Sequence, residues 1–278
     1  MDRHFVLRRI WVWLAVLAAL GGYILWGNTS ITVTQLHMEI PGLPEEFSGF
    51  RIAHVSDLHN ASFGRDNGRL LELLAQNEPD IIAMTGDLID SRRTRVDISA
   101  DFAAKAAQLA PTYSVTGNHE GRVREDYARL KQALENSGVH ILENETVILE
   151  RGNARITLMG LHDPSFSDVQ TELTRLAPGT QETTILLAHH PELVGYYAGA
   201  GIDLALCGHA HGGQFRFPLL GGLIAPGQGW FPVYDAGAYR VEDTQMVVSR
   251  GLGNSLFPFR LNNRPEVILI TLNAKTPD

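Results

Sequence analysis

At positions 202–214 the chain reads Ile202-Asp203-Leu204-Ala205-Leu206-Cys207-Gly208-His209-Ala210-His211-Gly212-Gly213-Gln214. The apolar run from 202 to 207 is typical of a short buried strand. Neutral imidazole is a common ligand of Zn, Fe and Mn-type ions, and glycine lets a loop backbone approach an ion closely. A strand that ends at two histidines, one residue apart and framed by glycines, therefore indicates a metal site.

Other polar groups follow apolar runs in the same way. The runs 51–55, 80–84, 113–115 and 184–188 lead into Asp57-Leu58-His59, Gly86-Asp87, Asn118-His119 and His189, respectively. Helical patterns at 68–76, about 97–109 and about 123–136 separate the first strands. Strand, polar loop and helix in repeated succession predict parallel βαβ units, in which polar ligands gather at the carboxyl ends of the strands.

The second half of the chain contains mostly strand patterns. Residues 146–149 and 155–159 predict a hairpin around Gly152-Asn153, and further strands are predicted at 234–241, 245–248 and 267–272. Residues 31–36 indicate an edge strand before the first βαβ unit. Many strands with few helices favour a second sheet stacked on the first.

The composition is that of an ordinary globular chain of 278 residues, with 44% hydrophobic and 19% charged residues. The formal net charge of −8 argues against nucleic acid as a stable partner, since such binding needs a basic surface. Cys207 is the only cysteine, which excludes an intrachain disulfide and a site built from several thiolates.

The amino terminus predicts a membrane segment within residues 1–30. Residues 10–27 are uncharged and cover roughly 27 Å as a helix, enough to cross a bilayer. Arginines precede this run and none follows until Arg51, which predicts a cytoplasmic amino terminus and an extracytoplasmic body at 31–278. A signal peptide cleaved near Ala19-Leu20-Gly21 is the alternative, and Arg8-Arg9 allows a twin-arginine export signal. The apolar run continues to Trp26, which favours an uncleaved anchor.

The candidate ligands mix oxygen and nitrogen donors. They are Asp57, His59, Asp87, Asn118, His189, His209 and His211. Seven such donors are too many for one tetrahedral zinc ion and suit two divalent ions that share a carboxylate. Histidine-rich donors favour Mn, Fe, Zn or Co over Mg or Ca.

In order, the motifs D-x-H, G-D-x-x-D, G-N-H-E, H-x-P and G-H-x-H resemble those of the calcineurin-like metallophosphoesterase superfamily, over about residues 51–214. Segments 249–253 and 265–267 resemble a bacterial branch that is membrane-anchored or exported. The resemblance implies an α/β fold, a four-layer α/β/β/α sandwich of two mixed sheets. It also implies one metal held by Asp57, His59 and His211, a second held by Asn118, His189 and His209, and Asp87 bridging them.

The resemblance further implies that His119 protonates the leaving oxygen and that Asp90 orients it. The expected reaction is hydrolysis of a phosphodiester or pyrophosphate bond, because the branch includes enzymes that cleave UDP-diacylglucosamine, a lipid-linked nucleotide. A broad phosphomonoesterase and a non-catalytic metal-binding scaffold are the alternatives.

Several residues also have a purely structural interpretation. Asp57 and Asp87 could cap helices and Asn118 could belong to a turn. Arg250, Arg260 and Arg264 could bind phosphate, although surface positions are the simpler expectation for each. Residues 215–234, rich in Gly, Pro and apolar side chains, form either an internally packed crossover or a loop that faces the bilayer and admits a lipid tail.

Overall fold

A computed structural model describes residues 3–176, 182–255 and 257–275, with only the backbone described for residues 3–6 and 8. The chain begins with helix α1 (Arg3–Thr29). Residues 9–29 of this helix are long and apolar enough to cross a membrane, and none of that stretch is buried against the rest of the protein. The predicted anchor therefore corresponds to one continuous helix that ends just before the first strand.

The first sheet contains six strands, and its edge is formed by the residues directly after α1. These strands are β1 (Thr32–Ile40), β2 (Arg51–Val55), β3 (Ile81–Thr85), β4 (Thr112–Val115), β5 (His140–Ile141) and β16 (Glu266–Ala274). Their order is β1-β16-β2-β3-β4-β5. Strands β2 to β5 are parallel, as the βαβ pattern predicts, while β16 runs parallel to β1 and antiparallel to β2.

The second sheet also contains six strands. They are β6 (Glu145–Arg151), β7 (Ala154–Gly160), β8 (Thr184–Leu187), β9 (Leu204–Cys207), β14 (Gly237–Val241) and β15 (Thr244–Val248), in the order β14-β15-β9-β8-β7-β6. Strands β7, β8, β9 and β15 are parallel, and an antiparallel hairpin closes each edge. Between β9 and β14 the chain forms two small ribbons, β10 (Arg216–Phe217) with β11 (Gly221–Gly222) and β12 (Ile224–Ala225) with β13 (Gly229–Trp230).

Helices cover the outer faces of the two sheets. They are α2 (Gly68–Gln76), α3 (Val96–Ala106), α4 (Asn118–Arg122), α5 (Arg124–Asn136), α6 (Val169–Leu176) and α7 (Val194–Gly199). One apolar cluster fills the space between the sheets, a second lies under α2, α3 and α5, and a third lies under α6 and α7. The predicted α/β/β/α sandwich of two mixed sheets is confirmed.

Two local predictions differ from the structure. Helix α3 ends at Ala106 rather than Leu109, because the next amides bond three residues back, as Gln108 does to Lys105 and Leu109 to Ala106. The predicted loop after β4 instead forms the short helix α4, which begins at Asn118. Asn118 and Arg122 consequently lie one helical turn apart, on the same face.

Candidate metal centre

The predicted ligands all lie at one edge of the sandwich, where the carboxyl ends of the parallel strands in both sheets meet. We call this the ligand edge, formed by the loops 56–60, 86–91, 116–120, 188–190 and 208–214. The loops follow β2, β3, β4, β8 and β9, respectively. The two stacked sheets thereby bring together side chains that lie far apart in the sequence.

One group of donors comprises Asp57, His59, Asp87 and His211, with one donor atom of each within 4.8 Å of the others. The Nε2 atoms of His59 and His211 lie 3.2 Å apart. Asp57 Oδ1 lies 3.4 Å from His211 Nε2, and Asp87 Oδ2 lies 3.6 Å from His59 Nε2. These four side chains therefore direct their donor atoms at a common point.

A second group comprises Asp87, His189 and His209. His189 Nε2 lies 3.2 Å from Asp87 Oδ2 and 3.2 Å from His209 Nδ1. The Asn118 amide lies beside this group, 2.9 Å from His209 Nδ1 and 3.0 Å from the Arg122 guanidinium. With its nitrogen turned to His209 this amide donates a hydrogen bond. With its oxygen turned there it would offer an oxygen donor to a metal ion. Asp87 is common to both groups.

The electrostatics of the two groups fit divalent cations. Asp57 and Asp87 are buried, and each described ion pair of these carboxylates within 4.0 Å is with a histidine. Burial raises the pKa of Asp57. Burial alone would also raise the pKa of Asp87, but the neighbouring His189 outweighs it and holds that pKa well below its usual value. Buried carboxylates need a compensating cation, and the mixed oxygen and nitrogen donors suit transition-type ions.

The backbone at the ligand edge is strained in a way that matches this chemistry. Five candidate ligands have positive φ angles although none is glycine, namely Asp57, His59, Asp87, His209 and His211. Such conformations persist only where surrounding structure enforces them, and they concentrate at functional sites. Gly208 shows how tight the packing is, because a Cβ there would lie 1.9 Å from Ser56 Oγ and 2.5 Å from Asp57 Oδ2.

Glu120 links two of the ligand loops, a role that the sequence analysis did not assign. Its buried carboxylate accepts hydrogen bonds from the backbone N–H groups of Gly117 (2.8 Å), Asp87 (2.9 Å) and Ile89 (3.1 Å). Burial and the nearby Asp87 charge raise the pKa of Glu120 to about 8, against the lowering effect of its amide donors. Glu120 therefore fixes the loop that carries Asp87 against the loop that carries Asn118.

Replacing Glu120 with alanine is expected to lower the free energy of unfolding by about 2–4 kcal/mol, because three buried amide donors lose their acceptor. The thermal midpoint of the full chain in detergent should fall by several degrees. Glu125→Ala, on the first turn of α5, is the matched control and should leave the midpoint unchanged. An unchanged midpoint for Glu120→Ala would contradict the linking role.

His119 lies beside the two groups, and its ring is held at both nitrogens. The backbone N–H of Ser91 donates to Nδ1 at 2.9 Å, so the neutral ring carries its proton on Nε2. Ser255 Oγ lies 3.1 Å from Nε2. Burial lowers the pKa of His119, which favours this neutral form. The structure therefore holds a proton on the nitrogen that lines the adjoining pocket.

The expected hydrogen bond between Asp90 and His119 is not formed. Asp90 Oδ2 lies 4.0 Å from His119 Nδ1, and Asp90 Oδ1 instead accepts from the amides of Arg92 and Arg93, which closes a tight turn. Asp90, His59 and His119 do lie close enough to form a third potential donor group, although His119 Nδ1 is already taken by Ser91. Ser91, rather than Asp90, contacts the ring, and an orienting role for Asp90 stays a prediction.

A cavity of about 380 Å³ opens beside Asp87, Asn118 and His119. Its lining includes two arginines, Arg92 and Arg122, and several apolar residues, Ile224, Ala225, Pro226 and Phe257. Two guanidinium groups beside the donor groups are suited to phosphoryl oxygens, which arginine binds in bidentate fashion. The cavity is therefore lined by both cationic and apolar side chains.

Among the arginines considered from the sequence, Arg260 contacts a candidate ligand, because its guanidinium lies 3.3 Å from His211 Nδ1. Arg250, Arg260 and Arg264 line a separate cavity next to α1. Arg250 pairs with Glu266 at 2.6 Å, and Arg260 is buried, donating to the backbone oxygens of Arg250 and Gly253. The expectation of surface positions is thus wrong for Arg260, and none of the three lines the cavity at the ligand edge. The spacing of Asn118 and Arg122 could have identified Arg122 once a helix was recognised there.

His190 belongs to neither of the two donor groups that share Asp87. Its Nε2 lies 2.8 Å from Asp163 Oδ2 and its Nδ1 lies 2.9 Å from Glu192 Oε1. Its neighbour His189 is completely buried and directs Nε2 at Asp87. The two adjacent histidines therefore contact different groups, His189 the shared Asp87 and His190 the carboxylates of Asp163 and Glu192.

Comparison with known proteins agrees with this geometry. The family model for calcineurin-like phosphoesterases matches residues 50–213. The uncharacterized metallophosphoesterase YkoQ of Bacillus subtilis is 31% identical over 81% of this chain and 84% of its own length. The phosphodiesterase YaeI of Escherichia coli is 30% identical over 80% of this chain and 82% of its own length.

Two further comparisons concern a relative described as a transmembrane protein and a solved structure. A Danio rerio protein described as a transmembrane protein with a metallophosphoesterase domain is 29% identical over 86% of this chain and 57% of its own length. The crystal structure of TT1561 from Thermus thermophilus covers 74% of this chain and 91% of its own, with a TM-score of 0.51 and 13% identity, which speaks for the fold alone. The chain belongs to the calcineurin-like phosphoesterase family, whose members are metal-dependent hydrolases with a dinuclear divalent metal centre.

Proposed function

We propose that this phosphoesterase hydrolyses a phosphodiester or pyrophosphate bond at the ligand edge. The first ion is assigned to Asp57, His59 and His211, the second to Asn118, His189 and His209, and Asp87 is shared by both. The observation that carries the assignment is the position of Asp87 Oδ2, which lies 3.6 Å from His59 Nε2 in one group and 3.2 Å from His189 Nε2 in the other. When bound, two such ions activate water and neutralise charge on the phosphoryl group.

The surrounding residues supply binding and a proton. Arg92 and Arg122 line the cavity where phosphoryl oxygens would lie, and their charges favour a phosphate group there. His119 is assigned as the general acid in its imidazolium form, which would give the Nε2 proton to the departing oxygen and return to the neutral ring. Burial lowers the pKa of His119, and the nearby Asp87 and Asp90 carboxylates oppose that effect by favouring the charged form. In the resting enzyme Ser255 Oγ accepts a hydrogen bond from His119 Nε2–H. The leaving group would take the place of this hydroxyl when the substrate binds.

The apolar part of the cavity lining favours a substrate with an apolar substituent on phosphorus. A diester or pyrophosphate, unlike a monoester, keeps an organic substituent on the phosphoryl group that is attacked, and the lining offers apolar side chains as well as two arginines. The Escherichia coli relative is named a phosphodiesterase. Together these points support a lipid-linked nucleotide, with UDP-diacylglucosamine as the specific candidate. A broad phosphomonoesterase is the alternative, and the presence of His119 argues against a non-catalytic scaffold.

The preference for diesters can be measured with the full chain in detergent, stripped of metal and reloaded with Mn²⁺. We expect a higher kcat/KM for bis(p-nitrophenyl) phosphate than for p-nitrophenyl phosphate. Both substrates release the same phenolate, so the ratio reports the substituent on phosphorus rather than the leaving group. A preference for the monoester would instead support the alternative.

We also propose that residues 1–30 anchor the catalytic body, residues 31–278, to a bacterial inner membrane, with the amino terminus in the cytoplasm. The arginines before the apolar run, and their absence after it until Arg51, support this orientation. Residues 1–2, 177–181, 256 and 276–278 of these segments lie outside the part that the structure describes. Protease added outside spheroplasts should digest the body; complete protection of the body would contradict the orientation.

A further inference from the structure

The segment 217–233, which we call the apolar tip, exposes an unusual set of side chains. No charged residue occurs between Phe217 and Tyr234. More than half of the large exposed hydrophobic side chains described outside α1 belong to it, namely Phe217, Leu219, Leu220, Trp230, Phe231 and Val233. The small ribbons β10–β11 and β12–β13 present these side chains outward instead of packing them internally. A cluster of this kind marks an interaction surface.

The strand register places α1 at the same edge of the sandwich as the apolar tip. Thr32, at the start of β1, is paired with Glu266, at the start of β16. Strand β16 runs antiparallel to β2, with Ile268 opposite His54 near the carboxyl end of β2. Strands β1 and β16 therefore both begin at the ligand edge. The apolar tip begins three residues after Gln214, the last residue of a ligand loop, so both elements leave the body at this edge.

Several contacts fix α1 against the body. Asn28 Nδ2 donates to the backbone oxygen of Arg260 at 3.0 Å, and Asn28 Oδ1 accepts from the Arg260 amide at 2.7 Å. The Arg264 guanidinium lies 4.8 Å from the Trp26 ring centre and also binds the backbone oxygens of Ser30 and Ile31. The end of the helix is thus joined to the body by both hydrogen bonds and a cation–π contact.

Asn262 connects helix α1 with the base of the apolar tip. Tyr23 Oη donates to Asn262 Oδ1, and Asn262 Nδ2 donates to the backbone oxygen of Arg216. Arg216 directly precedes the apolar tip and pairs with Asp235 at 2.8 Å, just after it. The charged residues therefore remain at the base, while uncharged residues form the end. These contacts join α1 to the base of the apolar tip.

We propose that the apolar tip inserts into the bilayer that α1 enters, so that the cavity at the ligand edge opens at the level of the lipid headgroups. The partner is a lipid surface, because the exposed side chains carry no charge and leave the body at the same edge as the membrane helix. Tryptophan and other amphipathic or apolar side chains favour the interfacial region of a bilayer. The inference depends on membrane insertion of α1 and not on which phosphoester is cleaved.

The test uses the four tryptophans of the chain, at positions 11, 13, 26 and 230. A variant with Trp11→Phe, Trp13→Phe and Trp26→Phe keeps Trp230 as its sole tryptophan. The full-length variant is reconstituted into phosphatidylcholine vesicles with and without brominated acyl chains, which quench tryptophan on contact. We expect Trp230 emission to be blue-shifted and to lose at least about half of its intensity with brominated chains.

Two variants calibrate the result. A variant that keeps only Trp13 reports insertion of α1 itself. A variant with all four tryptophans replaced by Phe and with Leu109→Trp places the probe on an exposed site at the amino end of β4, on the opposite edge of the first sheet. The proposal would be overturned if brominated chains quench Trp230 fluorescence no more than that of the distant probe, while they do quench Trp13. Trp230 emission that is blue-shifted but unquenched would also overturn it, since a protein surface would then cover the apolar tip.

Discussion

Replacing His119 with alanine is expected to lower kcat by about 10²–10⁴-fold, the range for loss of a general acid, while both metal ions stay bound. The reason is geometric, because His119 lines the cavity, where its imidazolium form would protonate the leaving oxygen, and it lies outside the two donor groups that share Asp87. The decrease should be larger for an alkyl leaving group than for p-nitrophenolate, which needs little protonation. Steady-state kinetics on both kinds of diester would measure it.

The matched control is His140→Ala. His140 is exposed and stacks on Tyr113, so its loss should change neither kcat nor metal content. Metal content is measured by inductively coupled plasma mass spectrometry on each variant. An unchanged kcat for His119→Ala would remove the proposed acid. Loss of one ion in that variant would instead assign His119 as a ligand, through the third donor group with His59 and Asp90.

Replacing Asp87 with asparagine is expected to have a still broader effect, since one carboxylate serves both donor groups. The amide has nearly the same size and its oxygen still accepts the His119 backbone N–H, which lies 2.8 Å from Asp87 Oδ1. However, the substitution removes a negative charge between two cations. We expect weaker binding of both ions and a loss of turnover greater than the roughly 10–100-fold that removal of a supporting hydrogen bond costs.

The readouts for Asp87→Asn are metal content, turnover and the rise in thermal midpoint on addition of Mn²⁺. A ligand that binds only the folded state raises that midpoint, so the rise should shrink or vanish in the variant. Asp243→Asn is the control, because the Asp243 side chain is fully exposed. Two bound ions together with unchanged turnover would show that Asp87 does not bridge the centre.

The sequence predicted well those features that depend on local pattern. Short apolar runs that end at Asp57, Asp87 or His189 predict strands. Because parallel strands align their carboxyl ends, these runs also predict that the polar residues after them gather at one edge of the sheet. The same argument placed His209 and His211 beside Asp57, which is about 150 residues away in the chain. Hydrophobic periodicity located α2 at its observed bounds and the β6–β7 hairpin within a few residues.

The features that the sequence did not reveal depend on contacts between distant segments. Ser255 reaches His119 from a loop 136 residues further along the chain, and no local pattern marks a single serine for that position. Glu120 appeared only as part of a motif, because its role requires knowing which amides face it. Asp90 was expected to bind His119, but the turn it closes directs Oδ1 to its own following amides, and the adjoining Ser91 contacts the ring instead.

Strand β16 has a consequence for how the protein is made. It lies between β1 and β2, which are consecutive in the chain but do not pair with each other. During synthesis, β1 emerges beside the membrane helix more than two hundred residues before β16, so the first sheet has a gap one strand wide until β16 has been made. Unpaired strand edges invite pairing with other chains, and pairing between distant segments is slow. The nascent protein therefore carries an open sheet edge close to the bilayer surface until β16 is in place.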